Sequence, residues 1–165
     1  MGISNKLKPR GLFTLQHFDE KGVLKNTQTF PNGVVDEGAE HVLETEFRSG
    51  APVATWYLGL INNASYTGLA DADVMASHAG WLELVTYTEA ARPAWTPDAA
   101  ATRAMTNGTT VDFSINATCV IRGVFLTSNA TKSGTTGILW ATALLTSVIN
   151  AGSGDTIKLT YTIGA

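Results

Sequence analysis

Three observations predict a mainly β fold: short segments rich in β-branched and aromatic residues, the Gly- and Asn-containing turns between them, and only one stretch with helical spacing. Together they point to an antiparallel β-sandwich, jelly-roll-like, with one helix in the N-terminal third. The chain has 165 residues, which suits a single domain over residues 1–165. Within it we expect a possible N-terminal arm at 1–18, a helix at 34–50 and the sandwich over 53–165. Hydrophobic residues make up 44% and charged residues 15%, a balance that excludes disorder or a coiled coil as a description of the whole chain.

Leu12–Phe18 and Val23–Phe30 flank Asp19-Glu-Lys-Gly22, so the first element reads as a hairpin. Pro31-Asn-Gly33 breaks it. Asp36 can then cap a helix whose Ala39, Val42, Leu43 and Phe47 form one apolar stripe, and Gly50 can stop it. Glu40 and Glu44 sit one turn apart on that helix, and Arg48 follows Glu44 by four residues, which reads as a solvated face with one modest ion pair.

Val53–Ile61 is almost continuously apolar and predicts a central strand buried on both sides. Residues 62–80 form a long connection, with a capping role expected for Asp71 or Asp73. Trp81–Thr88 predicts a strand with Glu83 on its outer face. Glu89–Pro97 carries two prolines and is expected to be extended or turned. Strands are then expected at Thr110–Ile115, Cys119–Thr127, Ile138–Leu144 and Thr156–Ile163. In the last of these Ile157, Leu159, Tyr161 and Ile163 share one face.

The residue pattern offers little chemistry. His17, His41 and His78 fall on three separate elements, and none has a partner at metal-ligand spacing, so no metal and no cofactor is expected. Asp71 and Asp73 begin like a calcium loop, but Met75 stands at the third position and no Glu follows in register. Gly-rich stretches at 134–137 and 152–154 lack the Lys-Ser/Thr of a phosphate loop. Glu83 and Asp112 could face each other as a glycosidase pair only if the fold brought them together. Three of the four tryptophans lie in apolar strands and read as core, whereas Trp95, between two prolines, is a candidate for exposure. Cys119 is alone and reads as a small core residue. Four Asn-X-Ser/Thr sequons, at Asn63, Asn107, Asn116 and Asn129, are read as turn chemistry.

Charge is uneven. Thirteen of the 25 charged residues lie in residues 1–50, so the remainder is a nearly neutral, Thr/Gly-rich sequence that tolerates close contact with other chains. The formal charge of −3 and the lack of a polybasic run argue against nucleic acid as a partner. No apolar stretch approaches the roughly 20 residues of a membrane span, no leader-like run follows the N-terminal basic residues, and Lys6 breaks a myristoylation motif at Gly2. A soluble protein without a membrane partner is expected.

Trp56–Asn63, Ser65–Gly68, Asp73–Trp81, Arg92–Trp95 and Gly134–Trp140 carry a resemblance that spans residues 34 to the end. In their order and spacing these segments resemble small structural proteins of tailed bacteriophages. The resemblance implies a non-enzymatic virion protein, made in the host cytoplasm and placed on the phage head exterior. There it would decorate and cement the capsid as a homo-oligomer, often a trimer, against the major capsid protein. Lys6, Lys8 and Arg10 are then candidates for a capsid-binding arm. The alternative is a tail or fibre component that holds host surface glycan through Tyr66, Arg92 and Trp95. The family supplies no catalytic residues.

Overall fold

A computed structural model of the chain describes residues 10–164. The elements are β1 (Arg10–Phe18), β2 (Leu24–Pro31), β3 (Gly33–Val34), α1 (Asp36–Phe47), β4 (Trp56–Asn62), β5 (Glu83–Leu84), β6 (Ala94–Trp95), β7 (Ala104–Thr106), β8 (Val111–Ser114), β9 (Cys119–Thr127), β10 (Leu139–Ala151) and β11 (Thr156–Gly164). Sheet A runs β2-β1-β11, and β7 and β8 share the far edge of β11. Sheet B runs β3-β10-β9-β4, and β5 and β6 share the far edge of β4. All pairings are antiparallel, and the two sheets pack face to face as a β-sandwich.

The period-2 pattern places the main core where the sequence puts it. Phe13 and Leu15 of β1, Ile157, Leu159 and Tyr161 of β11, and Leu58 and Leu60 of β4 point between the sheets and are buried. Phe13 stacks on Tyr161 with ring centroids 4.2 Å apart. β4 is buried on both sides as predicted, because its opposite face belongs to a second apolar cluster of Val35, Ile61, Met75, Trp81, Phe125 and Leu139. Gly59 makes that layer possible, since a Cβ there would stand 2.2 Å from the Phe125 ring.

Four differences from the sequence reading have physical causes. First, residues 10–18 are not a free arm: β1 lies between β2 and β11 with both its edges paired. Second, the expected strand at 81–88 shrinks to β5, because β6 takes the rest of the β4 edge at Trp56 and Tyr57. Third, β10 continues beyond Leu144 through a register break ending at Ile149. Across that break the Gln28 side chain donates to the Ser147 carbonyl at 2.9 Å and accepts from its N–H at 3.0 Å, tying the outer strand of sheet A to sheet B. Fourth, β7 adds a three-residue strand at the edge of β11, following two residues, Thr102 and Arg103, held at positive φ.

The helix is also rotated from the expected stripe. Its cap is Val35, without a side-chain hydrogen bond, while Asp36 and Glu37 lie in the first turn, where carboxylates suit the helix dipole. Gly38 is the point of closest approach to sheet B, where a Cβ would meet the Trp140 carbonyl oxygen at 2.4 Å. Glu37 accepts the Leu139 N–H at 2.7 Å beside it. With that face pinned down, Val42 packs on the core, but Leu43 and Phe47 remain 56% and 79% exposed. At the other end Gly50 donates its N–H to the Glu44 carbonyl at 2.9 Å, close to the predicted stop.

Candidate functional site

The residues singled out by sequence do not converge. Lys6 and Lys8 lie outside the described residues, and Arg10 is an exposed residue opposite Gly164 at the start of β1. Tyr66 is half-buried under Arg122, whose guanidinium stands 4.9 Å from its ring. Arg92 lies on the connection after β5 and Trp95 in strand β6, and both are buried.

Arg92 is the centre of a lock. Its Nε and Nη2 donate to the two carboxylate oxygens of Glu83 at 2.9 and 2.8 Å, a bidentate pair that only a guanidinium fork can make. Nη1 donates to the Asn129 carbonyl at 2.8 Å and Nη2 to that of Gly134 at 3.2 Å. Glu83 also accepts the Ser133 N–H at 2.6 Å. Glu83 does lie on the outer face of its strand, beside Ile61, but it is covered there instead of solvated: its side chain is 6% exposed and neutralised by Arg92. One ion pair joins β5, the 89–97 connection and the loop between β9 and β10.

Trp81 makes a second lock on the same outer face of sheet B. Its ring rests 3.9 Å from His78 and 5.0 Å from Phe125, and its Nε1 donates to Asp73 at 2.9 Å. Asp73 also accepts the Ala70 N–H, three residues before it, so it closes a turn instead of capping a helix that follows it. Trp95 departs from expectation because Asn107 gives its indole a buried partner at 3.0 Å. The same Asn107 oxygen accepts the Tyr161 N–H, and its amide donates to the carbonyls of Thr109 and Leu159. No sequence signal marked Asn107 as a buried cross-link, since its Asn-Gly-Thr context reads as a turn. Asn129 does behave as turn chemistry, accepting the Thr131 N–H at 2.7 Å.

The remaining charged candidates are likewise engaged. Asp112 pairs with Lys158 across β8 and β11, so neither it nor Glu83 is a free carboxylate of a glycosidase pair. Among the described residues, no three of His, Cys, Asp and Glu converge to hold a metal ion, and no helix is long and apolar enough to cross a membrane.

His17 and Asp155 form a buried pair, with Nε2 and Oδ2 at 2.6 Å, and Lys25 adds a contact at 3.3 Å. Burial alone would raise the Asp155 pKa. Hydrogen bonds from the Gly152 N–H, His17 and Lys25 outweigh it and hold the carboxyl below its ordinary value. A depressed folded pKa means that this stabilisation is present above the unfolded value and is lost as pH falls through the folded one. Asp155→Asn should therefore lower stability near neutrality and flatten the acid limb of the stability curve below about pH 4. Urea titrations from neutrality into that range check this, and parallel curves for variant and parent would contradict it.

A groove of about 480 Å³ lies between α1 and one end of the sandwich. Trp56, Trp95, Trp140, Met105 and Leu126 supply its floor and walls, with Val42 and Thr45 on the helix side. It is a mostly apolar surface beside an acidic helix, with His41 and Glu46 also on its helix side. No protein-family model matches this chain, and no curated protein matches it either.

Proposed function

We propose that this chain is a non-enzymatic structural protein of a virion, a decoration protein that stabilises the outside of a phage head by binding the major capsid protein as a homo-oligomer. The observation that carries the reading is how the charged groups are used. Glu83, Arg92, Asp73, Asp112, Asp155 and His17 are each engaged in tying strands and loops together. That use suits a scaffold that keeps its shape while neighbours bear on it.

Of the five segments that carry the resemblance to phage structural proteins, Asp73–Trp81, Arg92–Trp95 and Gly134–Trp140 supply residues to the two locks. In those three segments the likeness falls on scaffold residues. The glycan-binding alternative loses its support from Arg92 and Trp95, because neither presents a free polar group to solvent.

The test is reconstitution. Purified chain added to phage capsids that lack it should co-sediment to a saturating, fixed ratio with the major capsid protein. Light scattering of the free protein should give three times the chain mass. Absence of saturable co-sedimentation would overturn the assignment to the head.

A further inference from the structure

Helix α1 has a second apolar face. Ala39, Leu43 and Phe47 recur every four residues, so they align along one side of the helix, and all three are exposed. The inner side, at Gly38 and Val42, is the one that meets the sandwich. An apolar stripe on the outer side of a surface helix adds nothing to the fold, and it marks a surface awaiting a partner.

The charges around the stripe specify that partner. Residues 36–47 contain Asp36, Glu37, Glu40, Glu44 and Glu46 and no lysine or arginine. Glu37 is engaged by the Leu139 N–H, and Glu44 pairs with Arg48 at 3.0 Å. Glu40 and Glu46 have no cationic partner among the described residues, and they flank the stripe from opposite sides. A second copy docking α1 against α1 would bring two such acidic sets together, which repulsion opposes. A segment that carries apolar anchors with lysine or arginine beside them would bury Leu43 and Phe47 and neutralise both flanks.

We infer that the outer face of α1 is the docking site for a basic, apolar-anchored segment of a different polypeptide. The inference deepens the proposed function by naming the chemistry of the contact, and it rests on that reading only in taking the chain to work by binding another protein.

The probe is a synthetic amphipathic helical peptide with leucines on one face and lysines along its borders, titrated against the full chain by fluorescence anisotropy. A matching peptide with glutamates in place of the lysines is the control. The lysine peptide should bind saturably, about tenfold or more tighter than the glutamate peptide, and weaken as salt is raised. Leu43→Ser with Phe47→Ser should cost about tenfold or more in affinity, with melting temperature retained because both side chains are exposed. Glu40→Lys with Glu46→Lys should reverse the preference toward the glutamate peptide.

Equal binding of the two peptides, or indifference to the serine variant, would overturn the inference. So would dissociation of a homo-oligomer by the serine variant without peptide binding, which would make the face a contact between copies. A chain lacking residues 1–9 that binds the peptide much more tightly would overturn it too, by naming the chain's own N-terminal segment as occupant. Peptide binding without capsid co-sedimentation would count against the virion reading alone, and the converse against the inference alone.

Discussion

Replacing Arg92 with alanine should destabilise the protein by about 3–5 kcal/mol, the range for removing one partner of a buried ion pair. Glu83 would be left as a charge in a side chain only 6% exposed, and the carbonyls of Asn129 and Gly134 would lose their donors. A typical domain is stable by about 5–15 kcal/mol, so this single change removes a large part of the margin. Lysine should rescue poorly, because a single ammonium cannot span both Glu83 oxygens and two carbonyls in the geometry of the guanidinium fork. Arg92→Met combined with Glu83→Leu should recover part of the loss by removing both charges together. The remainder is the cost of the orphaned backbone groups, including the Ser133 N–H. Urea denaturation of the three variants measures these differences. A midpoint for the alanine variant equal to that of the parent would mean that the ion pair holds nothing.

Trp81→Ala should cost a similar amount, about 3–5 kcal/mol for a large buried aromatic side chain. The indole is 1% exposed and fills the space between the 62–80 connection and sheet B, in contact with His78 and Phe125. Its loss leaves a cavity on the outer face of the sheet and strips a donor from Asp73. Because the interior between the two sheets keeps its own cluster, the damage should be local. Limited proteolysis should open 62–80 while hydrogen exchange in β1 and β11 stays slow. Trp81→Phe retains most of the packing and removes only the N–H, for which about 1–2 kcal/mol is expected. Uniform loss of protection across both sheets would show instead that the layer and the sandwich are one cooperative unit.

These two residues also show where sequence reasoning stops. Trp81 belongs to the core, as its apolar strand context suggests, but to the cluster outside sheet B rather than the one between the sheets. Arg92 attracts notice beside Trp95 in a Pro-rich connection, a pattern that reads equally as an exposed ligand loop. What decides between the readings is Glu83, nine residues earlier, and the Asn129 and Gly134 carbonyls, 37 and 42 residues later. No local pattern encodes that meeting.

Helix α1 makes the same point with a face instead of a pair. Its periodicity marks Ala39, Val42, Leu43 and Phe47 as one stripe, yet a helix of this length can bury either of two neighbouring faces. The close approach at Gly38 chooses, because only the missing Cβ lets the backbone reach the Trp140 carbonyl. Leu43 and Phe47 are left outside as a consequence, and the candidate interface is a by-product of how that contact is made.

By itself the sequence determined the fold class, most strand positions and the inward face of the closing strand, because strand periodicity and turn chemistry are local and repeat every few residues. Only the tertiary structure decided that Arg92 and Trp95 are internal ties, that Glu83 is buried and that α1 shows an apolar face to solvent. Those outcomes depend on groups far apart in the chain competing to satisfy buried charges and hydrogen bonds, and on close approach at single glycines.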